Sequence, residues 1–438
     1  MTLAAPITAA RSDRLIIPLS AADAINADVV GPKAANLAAL ARAGLPTPGG
    51  FCLTADAYRL QLRELGLDDL AQQMPAEDSP LARRVAVQMR LALYQRPIAP
   101  AILEPLLAAW RVQRETYGPL GAVRSSALVE DRAGASFAGQ FESFLGLDNE
   151  TDFITAMRAC WAALWTTTAR RYMEKHDLSP AGTAMAILIQ PLVEARASGG
   201  GLSMTAENQM MLSATWGLGS AIAQGEVVPD RIVLSREGFV RKIEAGRKDH
   251  RDSCIAGHGA SAQAMAPELV SEPCLTPGQA TQLGRMLRKV EDVIGVPVEI
   301  EWAMDEAGFK LLQARPLHIE PAHVTDEIWL KHPGITGHPA GIGWGAGRGV
   351  VVNCECELTR IAPGDILITR VAGPALSQVL PHVAGVVAEL GGSTSHLASL
   401  ARERGIPMVL GVLDACRRIP DGSQVAVDGV AGVVRWIN

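Results

Sequence analysis

The chain has 438 residues, of which 48% are hydrophobic and 20% charged, and it carries a net charge of −6. That balance belongs to a folded chain and excludes intrinsic disorder. No strongly basic stretch favours nucleic acid as a partner. No uninterrupted apolar run approaches the ~18 residues that a membrane helix needs, and MTLAAPITAARSDR lacks the basic-then-apolar order of a signal peptide. The length leads us to expect two or three domains. Seven cysteines, an odd number, do not form a disulfide framework. Cys354 and Cys356 make a lone C-x-C with no second pair at metal-ligand spacing, and read as two half-buried thiols in a strand. The expected compartment is the reducing cytoplasm.

In chain order, GPKAANLAALARAG from Gly31 has apolar residues at helical spacing, with Gly44 as its stop. A second helix is expected from Ala55 and more helix up to Tyr117. AVRSSALVED and FESFLGL read as strands flanking the turn ASFAGQ. Residues 151–176 carry a helical apolar stripe, and AMAILIQPLV and MLSATWGL are expected strands. Thr276 caps a helix that runs to Gly295. It feeds two strands, VPVEIEWAMD and FKLLQARPL, which flank a turn at Glu306–Gly308. The proline-, histidine- and glycine-rich stretch that follows marks a domain boundary. Beyond it, GVVVN, DILITR, AGVVAEL, PMVLGV and GSQVAVD are strands and SHLASLARERG is a helix, which implies a small α/β domain.

Two constellations carry chemistry. In AGVVAELGGSTSHLASLARERGIPMVLG, an apolar strand ends at Gly391-Gly392, and Thr394 or Ser395 caps a helix whose first turn holds His396. A helix N-terminus offers unpaired N–H groups and partial positive charge, which suits a phosphoryl group and disfavours imidazolium. The double glycine would let a phosphate approach the backbone. Taken alone, the same pattern also describes a capped structural histidine. The second constellation is Lys33, Arg124, Glu301, Gln313 and Arg315. Glu301 and Gln313, on consecutive strands, each offer an oxygen to one hard cation such as Mg²⁺. The three cations would neutralise phosphates during transfer.

Four segments, VGPKAANLAALARAGLPTPGGFCLTADAYR, VRSSALVEDRAGASFAGQFESFLGL, WGLGSAIAQGEVVPD and VEIEWAMDEAGFKLLQARP, together resemble the ATP-grasp nucleotide domain of the dikinase group. That group includes phosphoenolpyruvate synthase, pyruvate phosphate dikinase and rifampin phosphotransferase. GGSTSHLASLARERGIPMVLG resembles the group's swivelling phosphohistidine domain. The resemblance implies an α/β fold with an ATP-grasp domain over 1–318, a linker over 319–344 and a β/β/α phosphohistidine domain over 345–438. It places Lys33, Arg124 and Arg315 on ATP phosphates, Gly139 and Ser143 in a loop over them, and Gln190 at the adenine edge. Glu301 and Gln313 would hold Mg²⁺. His396 would attack the β-phosphorus of ATP with AMP leaving, lose the γ-phosphate to water or inorganic phosphate, and pass on the remaining phosphoryl group. Pro32 stands where the group usually has a second glycine, Ser143 where it commonly has threonine, and ASGGGLSMTAEN is richer in glycine than usual.

The stretch between the two domains is too short to be an acceptor domain. As a tether, however, ~20 extended residues at ~3.3 Å each would let a small domain swing. Two acceptors follow: a small molecule with a hydroxyl or carboxylate, or an acceptor site on a separate protein. The rivals are an ADP-forming ATP-grasp kinase or ligase and an ATP-sensing regulator without turnover.

Overall fold

A computed structural model describes residues 15–437 apart from 76, 131–140, 142, 256–258, 318–328, 330 and 333. The chain packs as two compact units, one running to Val193 with Cys254–Ser261 added, the other made of Glu194–Ser253 and Ala262 onward.

The first unit holds five strands, Ile16–Pro18 (β1), Phe51–Leu53 (β2), Gly121–Ala127 (β3), Ser143–Leu147 (β4) and Met185–Pro191 (β5), in the antiparallel order β1-β2-β5-β3-β4. Its helices are Ala27–Arg42 (α1), Ala55–Glu64 (α2), Asp68–Gln72 (α3), Pro80–Gln95 (α4), Pro100–Tyr117 (α5), Glu150–Ala163 (α6) and Thr167–Glu174 (α7). The apolar stripe over 151–176 is two helices because the Thr166 side chain accepts from the Ala169 amide and starts a new one. Within α1, Gly31 (φ 74°, ψ 160°) breaks the helix. A Cβ there would lie 2.2 Å from the Ser126 carbonyl oxygen, so only glycine lets α1 come down on β3. Pro32 follows the break as the first residue of the second helical segment, where its fixed φ and missing N–H cost nothing.

In the second unit, strands Ala197–Leu202 (β6), Met210–Trp216 (β7), Asp230–Leu234 (β8) and Val240–Glu244 (β9) form part of a six-stranded antiparallel sheet, with the short helix Ser220–Ala223 (α8) between β7 and β8. The ribbon of His250–Ile255 (β10) and Gly259–Ala264 (β11) follows in the chain, its Cys254–Ser261 portion counted with the first unit. Helix Pro277–Ile294 (α9) then leads to Val298–Asp305 (β12) and Gly308–Pro316 (β13), which complete the order β13-β12-β6-β7-β8-β9. Thr276 caps α9 in a reciprocal capping box with Gln279, and Gly295 ends it in the left-handed conformation, as the sequence predicts. α9 covers one face of the sheet, where Leu287 lies against Gly201 of β6. The glycine-rich segment ASGGGL, not recognised as a strand from sequence, is β6 itself.

The rest of the chain forms an eight-stranded sheet from Gly334–Thr336 (β14), His338–Pro339 (β15), Trp344–Val352 (β16), Ile366–Thr369 (β17), Gly385–Ala388 (β18), Met408–Leu410 (β19), Gln424–Asp428 (β20) and Val433–Ile437 (β21). Its order is β14-β21-β20-β16-β17-β18-β19-β15. The central pairs from β16 to β19 are parallel, and the flanking pairs are antiparallel. Helix His396–Glu403 (α10) joins β18 to β19, and Ala415–Arg418 (α11) follows β19. Ile366, Ile368, Val387, Val409, Val425 and Val427 form the centre of its core. From Gly334 the stretch expected as linker enters this sheet: β14 pairs with β21 and β15 with β19. The reading of Cys354 and Cys356 is corrected as well. β16 ends at Val352, so both residues fall beyond the strand, exposed and joined in a disulfide.

Candidate active site

Four of the expected site residues belong to the first unit. Lys33 follows the break in α1, and its Nζ donates to the Ser125 carbonyl (3.0 Å) and pairs with Glu130 Oε2 (2.9 Å). Glu130 is buried and was not singled out from sequence, although it lies inside the quoted AVRSSALVED. In the sheet register Arg124 stands opposite Ser143 on β4, while Ala122, two residues before it, stands opposite Gln190 on β5. Directly opposed residues share a face and so do residues two apart, so Arg124, Ser143 and Gln190 line one side of the sheet. Ser143 is exposed; Gln190 is buried, with its Nε2 3.4 Å from the Gly49 carbonyl. Gly139 lies outside the described residues.

The other four belong to the second unit. Glu301 faces Gln313 on β13 and Gly200 on β6; Gly200 faces Ser213, and Ser213 faces Arg231. The neighbouring row runs Arg315, Glu299, Leu202, Met211 and Val233. The same pairing rule puts both rows on one face, opposite α9. That face carries an acidic and an amide oxygen donor side by side, and a guanidinium next to them.

The start of α10 sits on this face. Ser395 is its N-cap, accepting from the Ala398 amide at 3.2 Å, and half-buried His396 is its first residue. Of the two caps that sequence allowed, Ser395 is the one used. Thr394 packs into the space left by the missing side chain of Gly200, where a Cβ would lie 2.5 Å from Thr394 Cβ. The Thr394 hydroxyl is buried and has no hydrogen-bond partner among the described residues. One turn into α10, Ser399 receives a hydrogen bond from Arg315 Nη2 (2.7 Å), and Arg315 pairs with Glu299 at 2.9 Å.

The double glycine makes a close packing contact within the chain. The Gly391 amide donates to the Val227 carbonyl (3.0 Å), and a Cβ on Gly392 would lie 2.3 Å from Pro229 Cγ. The two glycines admit the chain's own loop between β7 and β8.

The donors suit a magnesium–nucleotide complex. Glu301 and Gln313 supply hard oxygens side by side, the kind of ligand Mg²⁺ takes alongside water and phosphate. A further group, Glu226, His250 and Asp252, brings one ligand atom from each within 4.8 Å of the others. There, Ser220 already donates to Asp252, and His250 lies 3.0 Å from Asp249 and 3.6 Å from Glu226, so these side chains satisfy one another.

A histidine at the start of a helix that packs on a sheet face carrying paired oxygen donors is an arrangement suited to handling phosphoryl groups. The model of the pyruvate phosphate dikinase AMP/ATP-binding domain matches residues 27–329, and that of the PEP-utilising enzyme mobile domain matches 361–432. The chain belongs to this family, and its fold is an ATP-grasp domain followed by a small β/β/α phosphohistidine-type domain. It is 30% identical to phosphoenolpyruvate synthase of Pyrococcus furiosus over 93% of this chain and 56% of that one. Identity to the Aeropyrum pernix enzyme of that name is 30%, over 96% of this chain and 58% of the relative. For the Escherichia coli enzyme it is 28%, over 94% and 56%. The chain thus spans little more than half the length of these relatives. Among the described residues no helix is long and apolar enough to cross a membrane.

Proposed function

We propose that this chain is an ATP-dependent phosphotransferase of the dikinase type, with His396 as its covalent carrier. The observation behind this reading is the position of α10: Thr394, two residues before His396, fills the gap over Gly200, next to Glu301 in the sheet. His396 attacks the β-phosphorus of ATP, the bond to the α-phosphate oxygen breaks, and AMP leaves. After loss of the γ-phosphate, the remaining phosphoryl group passes to a small-molecule acceptor. Lys33, Arg124 and Arg315 bind the nucleotide phosphates together with Gly139 and Ser143, and Gln190 reads the adenine edge. Glu301 and Gln313 hold Mg²⁺, which supplies charge neutralisation on the phosphates. The relatives are named phosphoenolpyruvate synthases, so phosphoenolpyruvate is the first product to look for. Five cysteines lie outside the one disulfide among the described residues, three of them buried, and this low disulfide content suits work in the cytoplasm.

The product nucleotide tests this reading. Chromatography of a reaction with Mg²⁺ and ATP should show AMP, absent when His396 is replaced by Ala. ADP as the sole product would establish direct transfer in its place.

A further inference from the structure

Glu299 occupies the row of the sheet next to Glu301 and is buried (6% exposed), 97 residues before α10 begins. Its carboxylate is the centre of a set of contacts between the sheet and α10. The Ser399 hydroxyl lies 3.1 Å from both of its oxygens, and Arg402 Nη2 donates to Oε2 at 3.1 Å. Arg315 pairs with the same Oε2 at 2.9 Å and donates to Ser399 at 2.7 Å. Arg402 further donates to the Ala340 carbonyl (3.1 Å) and to that of Ser393. His396, Ser399 and Arg402 are spaced three residues apart, so Ser399 neighbours each of the other two along the helix. A permanent interface would gain at least as much from apolar packing, because buried ion pairs add little net stability. A polar interface has another property: once opened, both of its faces are hydrated. The family model matched by this region is that of a mobile domain.

We propose that Glu299, Ser399 and Arg402 form a latch that docks the histidine helix on the nucleotide sheet and holds Arg315 in place, a positioning role rather than a catalytic one. This rests on His396 being the phosphoryl carrier. One carboxylate here faces two guanidiniums. Replacing it by an amide leaves two like charges in a buried space, and separation of the helix from the sheet relieves them. Burial already pushes the Arg402 guanidinium below its usual range, the neighbouring Arg315 charge adds to this, and Glu299 opposes it.

The test compares wild type with Glu299→Gln and Ser399→Ala in the full chain. Three quantities are read: the rate of His396 labelling by [β-³²P]ATP, the affinity for ATP, and hydrogen–deuterium exchange in α10 and α9. The Glu299→Gln change should slow labelling by about tenfold or more, and Ser399→Ala by about three- to tenfold, the effect of one hydrogen bond. ATP affinity should fall by less than labelling does, since Arg315 is one of several phosphate contacts, and exchange should rise in α10 but not in α9. Wild-type labelling and exchange in both variants would overturn the latch. So would exchange rising equally in α9, which would indicate general loosening. Failure of wild type to be labelled refutes the carrier role of His396, while the exchange data still judge the latch by themselves.

Discussion

Replacing Gly200 by alanine examines how closely α10 must approach the sheet. The added Cβ would lie 2.5 Å from Thr394 Cβ and 2.7 Å from Thr394 Cγ2, whereas carbon atoms rest at ≈ 3.5–4.0 Å. No rotamer of Thr394 relieves a clash with its own Cβ, so the backbone leading into His396 must retreat by about 1 Å. Overpacking of this kind costs about 1–3 kcal/mol, which at 1.36 kcal/mol per decade is roughly a 5- to 150-fold loss of the docked arrangement. A misplacement of about 1 Å near reacting atoms has an effect of similar size. Quenched-flow labelling of His396 with [β-³²P]ATP should slow by that factor, while ATP affinity from fluorescence titration is retained. In a Thr394→Gly background the obstacle is gone, so adding Gly200→Ala should cost nothing further; this double-mutant cycle separates the clash from general damage. Labelling within about twofold of wild type for the single Gly200→Ala variant would refute the reasoning, since even the smallest cost above exceeds that factor.

Glu301→Gln removes the anionic member of the oxygen pair, and the Mg²⁺ concentration giving half-maximal labelling should rise about tenfold or more; an unchanged Mg²⁺ titration would remove Glu301 from the metal site. Burial pushes the His338 imidazole down to about 4, and the Arg231 charge adds to the effect. Its folded value lies below its unfolded one, so the unfolded chain binds more protons between about pH 6.5 and 4. Stability should therefore fall as pH is lowered through that window, by on the order of 2 kcal/mol at pH 5. Denaturant titrations at pH 7 and pH 5 read this, and in His338→Gln the contribution should vanish; an equal loss in both proteins would assign it to other groups. Thiol titration of the denatured chain should give five thiols without reductant and seven after reduction, since Cys354 and Cys356 are paired and the other five cysteines lie outside that disulfide. Seven at the outset would contradict the pairing.

Local patterns carried much of the architecture. Thr276 with Gln279 announces α9, the turn at Glu306–Gly308 separates β12 from β13, and Gly405 with Pro407 bounds the helix that begins at His396. These signals lie within a few residues of the structure they specify. β6 escaped notice because its three glycines lack β-propensity; the reasons for them lie in tertiary neighbours, the Ser213 carbonyl for Gly199, Thr394 for Gly200, and Leu212, Leu287 and Ile300 for Gly201. For the same reason the site was legible in its individual residues but not in their contacts. Glu301 and Gln313 could be read from two adjacent strands, yet the links of Glu299 to Ser399 and Arg402 span about a hundred residues and leave no local pattern. The three-residue spacing of His396, Ser399 and Arg402, and the E-I-E alternation around Ile300, were the available hints. Glu130 offered less still, since an acid after a strand is usually solvated. The double glycine and the C-x-C pair were read by residue type; the glycines also pack against the β7–β8 loop, and the two cysteines are joined in a local disulfide.

The central claim is that His396 becomes phosphorylated with the β-phosphoryl group of ATP. Parallel reactions with [β-³²P]ATP and [γ-³²P]ATP, stopped in base and followed by peptide mapping, test it most directly. The β label should be retained on the peptide containing His396 through a chase with unlabelled ATP, stable to base and lost in acid, while the γ label is lost. A β label on any other residue, or one that survives His396→Ala, would contradict the account.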